Sequence, residues 1–152
     1  MTNDNAEKYV RQFHAMLYRL AFSYVRNCAE AEDICQDAFV QMLRCRTEFP
    51  ADEDCKRWLI RVTINLSKNL LRSRRRRDEP LEDTCIPAES APEYELASML
   101  RQLPPEQSAV IHLYYYEGYS VREIAAILKI SVTSVTSRLS RGRKRLKALL
   151  EE

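Results

Sequence analysis

Apolar residues along the chain recur at three- and four-residue spacings in nearly every stretch, which predicts helices throughout. Residues 7 to 25 place Val10, Phe13, Leu17, Leu20, Ala21 and Tyr24 on one face. After a break at Asn27-Cys28, a second helix over about Ala29–Arg46 buries Ile34, Cys35, Ala38 and Met42. A loop, Thr47–Asp54, is held by Pro50 and precedes a third helix from about Glu53 to Arg77. There Leu59, Val62, Leu66 and Leu70, with Thr63, form the expected core stripe. Trp58, Arg61, Asn65, Lys68, Asn69, Arg72 and Arg76 line the opposite side.

From Asp78 to Pro92 the helical period disappears. Three prolines and a run of acids predict a mobile linker. A fourth helix, about Glu93–Gln102, leads into Leu103-Pro104-Pro105. Proline there suits the first turn of a fifth helix, Glu106–Glu117, with Val110, Leu113 and Tyr114 inward and Gly118 ending it. Ser120 and Glu123 then form an S-x-x-E capping box, with Ile124, Ala125 and Leu128 inside. Lys129-Ile130 make a turn, and Ser131 caps a last helix whose buried stripe reads Val132, Val135, Leu139, Gly142, Leu146. The pattern is that of a helix-turn-helix. The expected fold is all-α: two small helical domains, 7–77 and 93–150, joined by a flexible acidic linker at 78–92.

Charge sharpens the picture. Residues 1–77 carry 15 basic and 10 acidic groups, residues 78–100 none and 7, and residues 101–152 nine and five. Two basic blocks with an acidic connector predict two separate contacts with a polyanion. The motif is acid-free from Ile124 to Leu150, and its last helix presents short hydroxyls followed by cations, which suits insertion into the DNA major groove. On the third helix, an aromatic, two amides and several cations share one face. The ring can stack on a base, the amides can read base edges, and the cations can hold phosphates. Trp58 as core filling is the competing reading. Likewise Glu30, Glu32 and Asp33 answer the dipole at the start of the second helix without needing a partner.

Five cysteines without a C-x-x-C pair, and only two histidines, argue against a disulfide framework, a zinc site and a cofactor, and fit a reducing cytoplasm. No nucleophile, Gly-rich loop or carboxylate–histidine set predicts catalysis or a small-molecule substrate. No leader pattern or membrane-length apolar run occurs, so no membrane insertion is expected.

Three stretches, AEAEDICQDAFVQM (29–42), KRWLIRVTINLSKNLLRSRRRR (56–77) and LPPEQSAVIHLYYYEGYSVREIAAILKISVTSVTSRLSRGRKRL (103–146), resemble in order and spacing the extracytoplasmic-function type of sigma-70-like RNA polymerase sigma factor. The resemblance covers about residues 9–77 and 94–150. It implies that Glu32, Asp33, Gln36, Asp37 and Phe39 dock on core RNA polymerase. It implies too that Trp58, Arg61, Asn65, Lys68, Asn69, Arg72 and Arg76 recognise and open the minus-ten promoter element, with Arg72 to Arg77 near phosphates. Thr133, Ser134, Thr136, Ser137, Arg138 and Arg141 would read the minus-thirty-five element. An anti-sigma factor is the further implied partner.

The chain departs from that pattern at three positions. Thr136 replaces a lysine or arginine and Gly142 an alanine, while Cys55 stands where an aromatic or histidine is common. A stand-alone helix-turn-helix regulator and a helical protein adaptor are the competing functions at this level.

Overall fold

The computed structural model describes residues 3–45, 48–77 and 99–151. It divides into two compact units, Met1–Thr84 and Cys85–Glu152. Among the described residues every regular element is helical. The expected linker 78–92, most of the helix expected from residue 93, and the residues around Thr47 lie outside the described residues.

The first unit packs three helices, α1 (Asn3–Val25), α2 (Cys28–Arg44) and α3 (Asp52–Arg76). Arg26, at φ 51°, turns the chain between α1 and α2, and Asn27 caps α2 by accepting from the Glu30 amide. The expected inner residues of α1 and α2 are buried, apart from Val10, which is exposed at the edge. Cys35, Cys45 and Cys55 are free thiols. Cys28 is instead disulfide-bonded, against the expectation of no disulfide framework.

The core stripe of α3 differs from its expected position. Leu59 and Thr63 are buried as expected, but the remaining inner positions are Cys55, Ile60, Ile64, Ser67, Leu71 and Arg74. Val62, Leu66 and Leu70 are half-buried along one flank. Apolar side chains span about half the helix circumference, so periodicity alone leaves the facing direction open. Burial of Ser67 on this side is compatible with its hydroxyl, which satisfies itself. Ser67 Oγ donates to the Thr63 carbonyl at 2.8 Å, so the hydroxyl can be buried without a tertiary partner. Cys55 joins the core too, its thiol donating to Met42 Sδ at 3.7 Å.

In the second unit, α4 (Pro105–Ile111) continues into a π-helical turn, His112–Tyr116. The wider turn leaves His112 and Leu113 buried, Tyr114 half-buried rather than inward, and Tyr115 and Tyr116 exposed. Gly118, at φ 74°, lets the chain reverse, and the Tyr119 amide donates to the Leu113 carbonyl.

Next come α5 (Val121–Leu128) and α6 (Val132–Leu150). The capping box closes in both directions, with Glu123 N to Ser120 Oγ at 3.1 Å and Ser120 N to Glu123 Oε1 at 3.0 Å. Lys129 adopts the left-handed conformation that ends α5, and Ser131 caps α6 through the Ser134 amide.

Ile124, Ala125 and Ile127 are the buried residues of α5, and Val135, Leu139 and Gly142 those of α6. Leu128 and Leu146 are only half-buried, and Val132 is exposed in the first turn of α6. Gly142 is glycine for a packing reason. A Cβ there would lie 2.5 Å from Ile111 Cδ1, so an alanine would require the buried Ile111 side chain to shift.

Candidate nucleic-acid and polymerase interfaces

On α3, the seven candidate residues Trp58, Arg61, Asn65, Lys68, Asn69, Arg72 and Arg76 fall within about 100° of arc at 100° per residue. That arc lies opposite the buried side. Asn65, Asn69, Arg72 and Arg76 are exposed, and Trp58, Arg61 and Lys68 half-buried. Trp58 is neither core filling nor a free ring. It leans on Phe49 from the preceding loop, centroids 5.8 Å apart and planes tilted by 54°, which props the indole at the start of the polar face. Phe49 escaped the sequence reading because a single loop aromatic carries no periodic signal. Asn69 Oδ1 accepts from Arg72 Nη1 at 3.4 Å, linking two candidates.

The arginine run at the end of α3 is not one surface. Arg72, Arg75, Arg76 and Arg77 are exposed, whereas Arg74 is 5% exposed. Its guanidinium pairs with Glu30 and donates to the Val25 carbonyl at 2.9 Å, clasping α3 to the corner between α1 and α2. Arg74 therefore falls outside the phosphate-facing group that the resemblance implied for 72–77, and Glu30 is a structural partner.

On α2, Asp33, Gln36 and Asp37 are exposed, and Glu32 is half-buried at their edge. Phe39 is not on this face. It is 7% exposed and packs in the core against the His14 ring, centroids 6.5 Å apart. The exposed side carries Val40 (40% exposed) and Leu43 (55%) instead. Sequence reading missed both, since nothing in it favoured an outward valine or leucine at those positions. Exposed aliphatics among carboxylates form a mixed surface of the kind that partners cover. Glu32 Oε1 is bonded to His14 Nε2 at 2.7 Å. Burial, with Glu32 nearby, pushes the Cys35 thiol up to about 12, and burial, with Asp52, raises Cys55 to about 11.

On α6, five candidates stand together. Thr133, Ser134, Ser137, Arg138 and Arg141 line a cleft of about 350 Å³, with Pro104, Glu106 and Gln107 of the α4 entry on its far wall. Thr136 lies apart on the other edge of the helix, its hydroxyl turned back onto the Val132 carbonyl at 3.0 Å. Ser134 Oγ is 2.9 Å from Ser131 Oγ, inside the cap. Arg143, beyond that edge, donates to Tyr115 Oη at 2.6 Å and lies over the Tyr114 and Tyr115 rings.

Residues 9–77 match the family model for sigma-70 region 2, and residues 94–146 that for sigma-70, region 4. The chain is 33% identical over 145 residues to the ECF RNA polymerase sigma factor SigM of Mycobacterium tuberculosis, covering 92% of this chain and 74% of SigM. It is a member of the ECF sigma factors of the sigma-70 family. Another such sigma factor, SigE of Mycolicibacterium smegmatis, is 34% identical over 157 residues, covering 95% of this chain, which spans only 61% of SigE's length.

Among solved structures, the sigma factor RpoE from Bartonella quintana, in complex with the anti-sigma factor NepR, shares the fold. Its TM-score is 0.82 at 24% identity, covering 99% of this chain and 98% of RpoE. CnrH in complex with the cytosolic domain of CnrY gives 0.70 at 28% identity, over 99% and 90% of the two chains. An ECF sigma factor is a transcription initiation factor, not an enzyme. No described helix is long and apolar enough to cross a membrane.

Proposed function

We propose that this sigma factor binds core RNA polymerase through α2 and opens the minus-ten element with α3. In the same reading it recognises the minus-thirty-five element as duplex with α6. Residues 7–77 and 93–150 are the two working domains, with 78–92 as their connector. The observation that carries the reading is the α3 face. Seven residues able to stack, hydrogen-bond or hold phosphate align opposite the core, and Phe49 braces the one tryptophan among them.

Glu32, Asp33, Gln36 and Asp37 supply the charge and amide of the polymerase contact. Phe39 supports it from inside, by holding α2 against α1. Thr133, Ser137, Arg138 and Arg141 meet the major groove. Ser134 serves the cap first, and Thr136 contributes from the far edge of the helix. The protein works in the cytoplasm on promoters of stress or envelope-response genes. An anti-sigma factor restrains it by covering the polymerase-binding surface; RpoE is solved in complex with the anti-sigma factor NepR, and CnrH in complex with the cytosolic domain of CnrY.

The division of labour is tested by W58A and D33R in the full chain. W58A should retain core polymerase and lose strand opening, read by permanganate reactivity of the minus-ten thymines. D33R should lose the polymerase itself. Strand opening by W58A at the wild-type level would remove Trp58 from the melting step.

A further inference from the structure

The sequence of α6 is free of acids, but the surface that α6 presents is not. The fold brings Glu106, from the first turn of α4, to the wall of the recognition cleft, its Oε2 3.6 Å from Arg138 Nη2. Arg138 is thereby drawn to one flank of α6, its side chain 22% exposed, while the Glu106 side chain remains 53% exposed. A carboxylate held at a face that meets a polyanion works against affinity. An acid in the first turn also favours helix formation, but that role is indifferent to where Arg138 points.

We propose that Glu106 is a positioning residue for promoter reading, holding the Arg138 guanidinium at the cleft beside Ser137 so that it meets a base edge rather than the nearest phosphate. The proposal rests on α6 being the minus-thirty-five reader. A guanidinium presents five N–H donors in a fixed plane, and paired recognition of one guanine needs that plane set in advance. With one edge of the fork drawn to Glu106, the other edge is left for the groove. Without the carboxylate, the long side chain is free to reach the phosphate backbone and adds a contact that carries no sequence information. Glu106 therefore exchanges affinity for discrimination.

The test uses the full chain bound to core RNA polymerase. The probes are a promoter recovered by run-off transcription, its variants substituted at each minus-thirty-five base pair, and a scrambled duplex. E106Q should bind the scrambled duplex more tightly. It should steepen the dependence of log affinity on log salt by about 0.9, one extra phosphate contact. Discrimination at one base pair should fall by about 5-fold or more, the loss of a paired base contact.

E106D, which keeps a carboxylate, should stay nearer wild type in salt slope and in discrimination. In an R138A background, E106Q should change neither. Unchanged slope and discrimination in E106Q, or changes that persist without Arg138, overturn the proposal. A wild-type protein indifferent to every minus-thirty-five substitution overturns the assignment of α6 itself, a result that the wild-type measurement alone reveals.

Discussion

The arginine run at the end of α3 yields the sharpest structural prediction. Four of its neighbours point outward, yet Arg74 is buried, paired with Glu30 and bonded to the Val25 carbonyl at 2.9 Å. Replacing it, R74A, removes the cation from a buried pair, which costs about 3–5 kcal/mol when a partner is stranded. Glu30 keeps 33% of its side-chain surface in water, so its charge is partly rehydrated and the lower end, about 3 kcal/mol, applies. For a unit of this size that corresponds to a fall in Tm of about 12–24 °C.

The assay is thermal unfolding followed by circular dichroism. The two compact units should melt separately, with only the first transition moving. The pair substitution E30L/R74M should recover most of the loss, because it leaves no buried charge. R76A, at an exposed position, should leave both transitions within about 0.5 kcal/mol. It should instead weaken promoter binding and flatten the salt slope by about 0.9. An R74A protein that melts like wild type but binds promoter DNA poorly would refute the reasoning and return Arg74 to the DNA face.

Other outcomes follow from the same geometry. S120A, which breaks the capping box ahead of α5, should destabilise the second unit by about 1 kcal/mol, read as a shift in its denaturation midpoint with unchanged slope. G142A should destabilise by up to about 2 kcal/mol, since crowding against Ile111 outweighs the helix propensity gained, and adding I111V should recover part of it. At pH 8 the thiols of Cys35 and Cys55, raised to about 12 and 11, should resist iodoacetamide in the native protein, while half-buried Cys45 reacts; mass spectrometry of the labelled peptides decides it. The bond from Lys8 holds the Asp52 carboxyl below its usual range, so this contribution to stability is present above the ordinary carboxylate pKa and is lost as pH falls through the lowered value. D52N should therefore flatten the acid limb of the first unit's unfolding curve.

Local signals were legible wherever a short stretch carries its own chemistry. Ser120 with Glu123, Ser131 and the Lys129 turn specify the helix-turn-helix without help from the rest of the fold. The α3 polar face was readable because seven residues repeat at helical spacing. The facing direction of α3 was not, since Ile60, Ile64 and Leu71 compete with Val62, Leu66 and Leu70, and buried Ser67 looks polar on paper. Arg74 hides in a run of identical residues, and its partners lie more than forty positions away. The Glu106–Arg138 contact and the Phe49 brace are tertiary, joining residues that no periodicity links. The resemblance implies a docking role for Phe39 but does not show that its ring packs in the core against His14 of α1.

The most direct measurement is run-off transcription from a promoter library by core RNA polymerase, with and without this chain. Initiation as proposed here predicts start sites that appear only when the chain is present, preceded by shared minus-ten and minus-thirty-five sequences. No new start sites, together with retardation of duplex DNA by the chain alone, would contradict it.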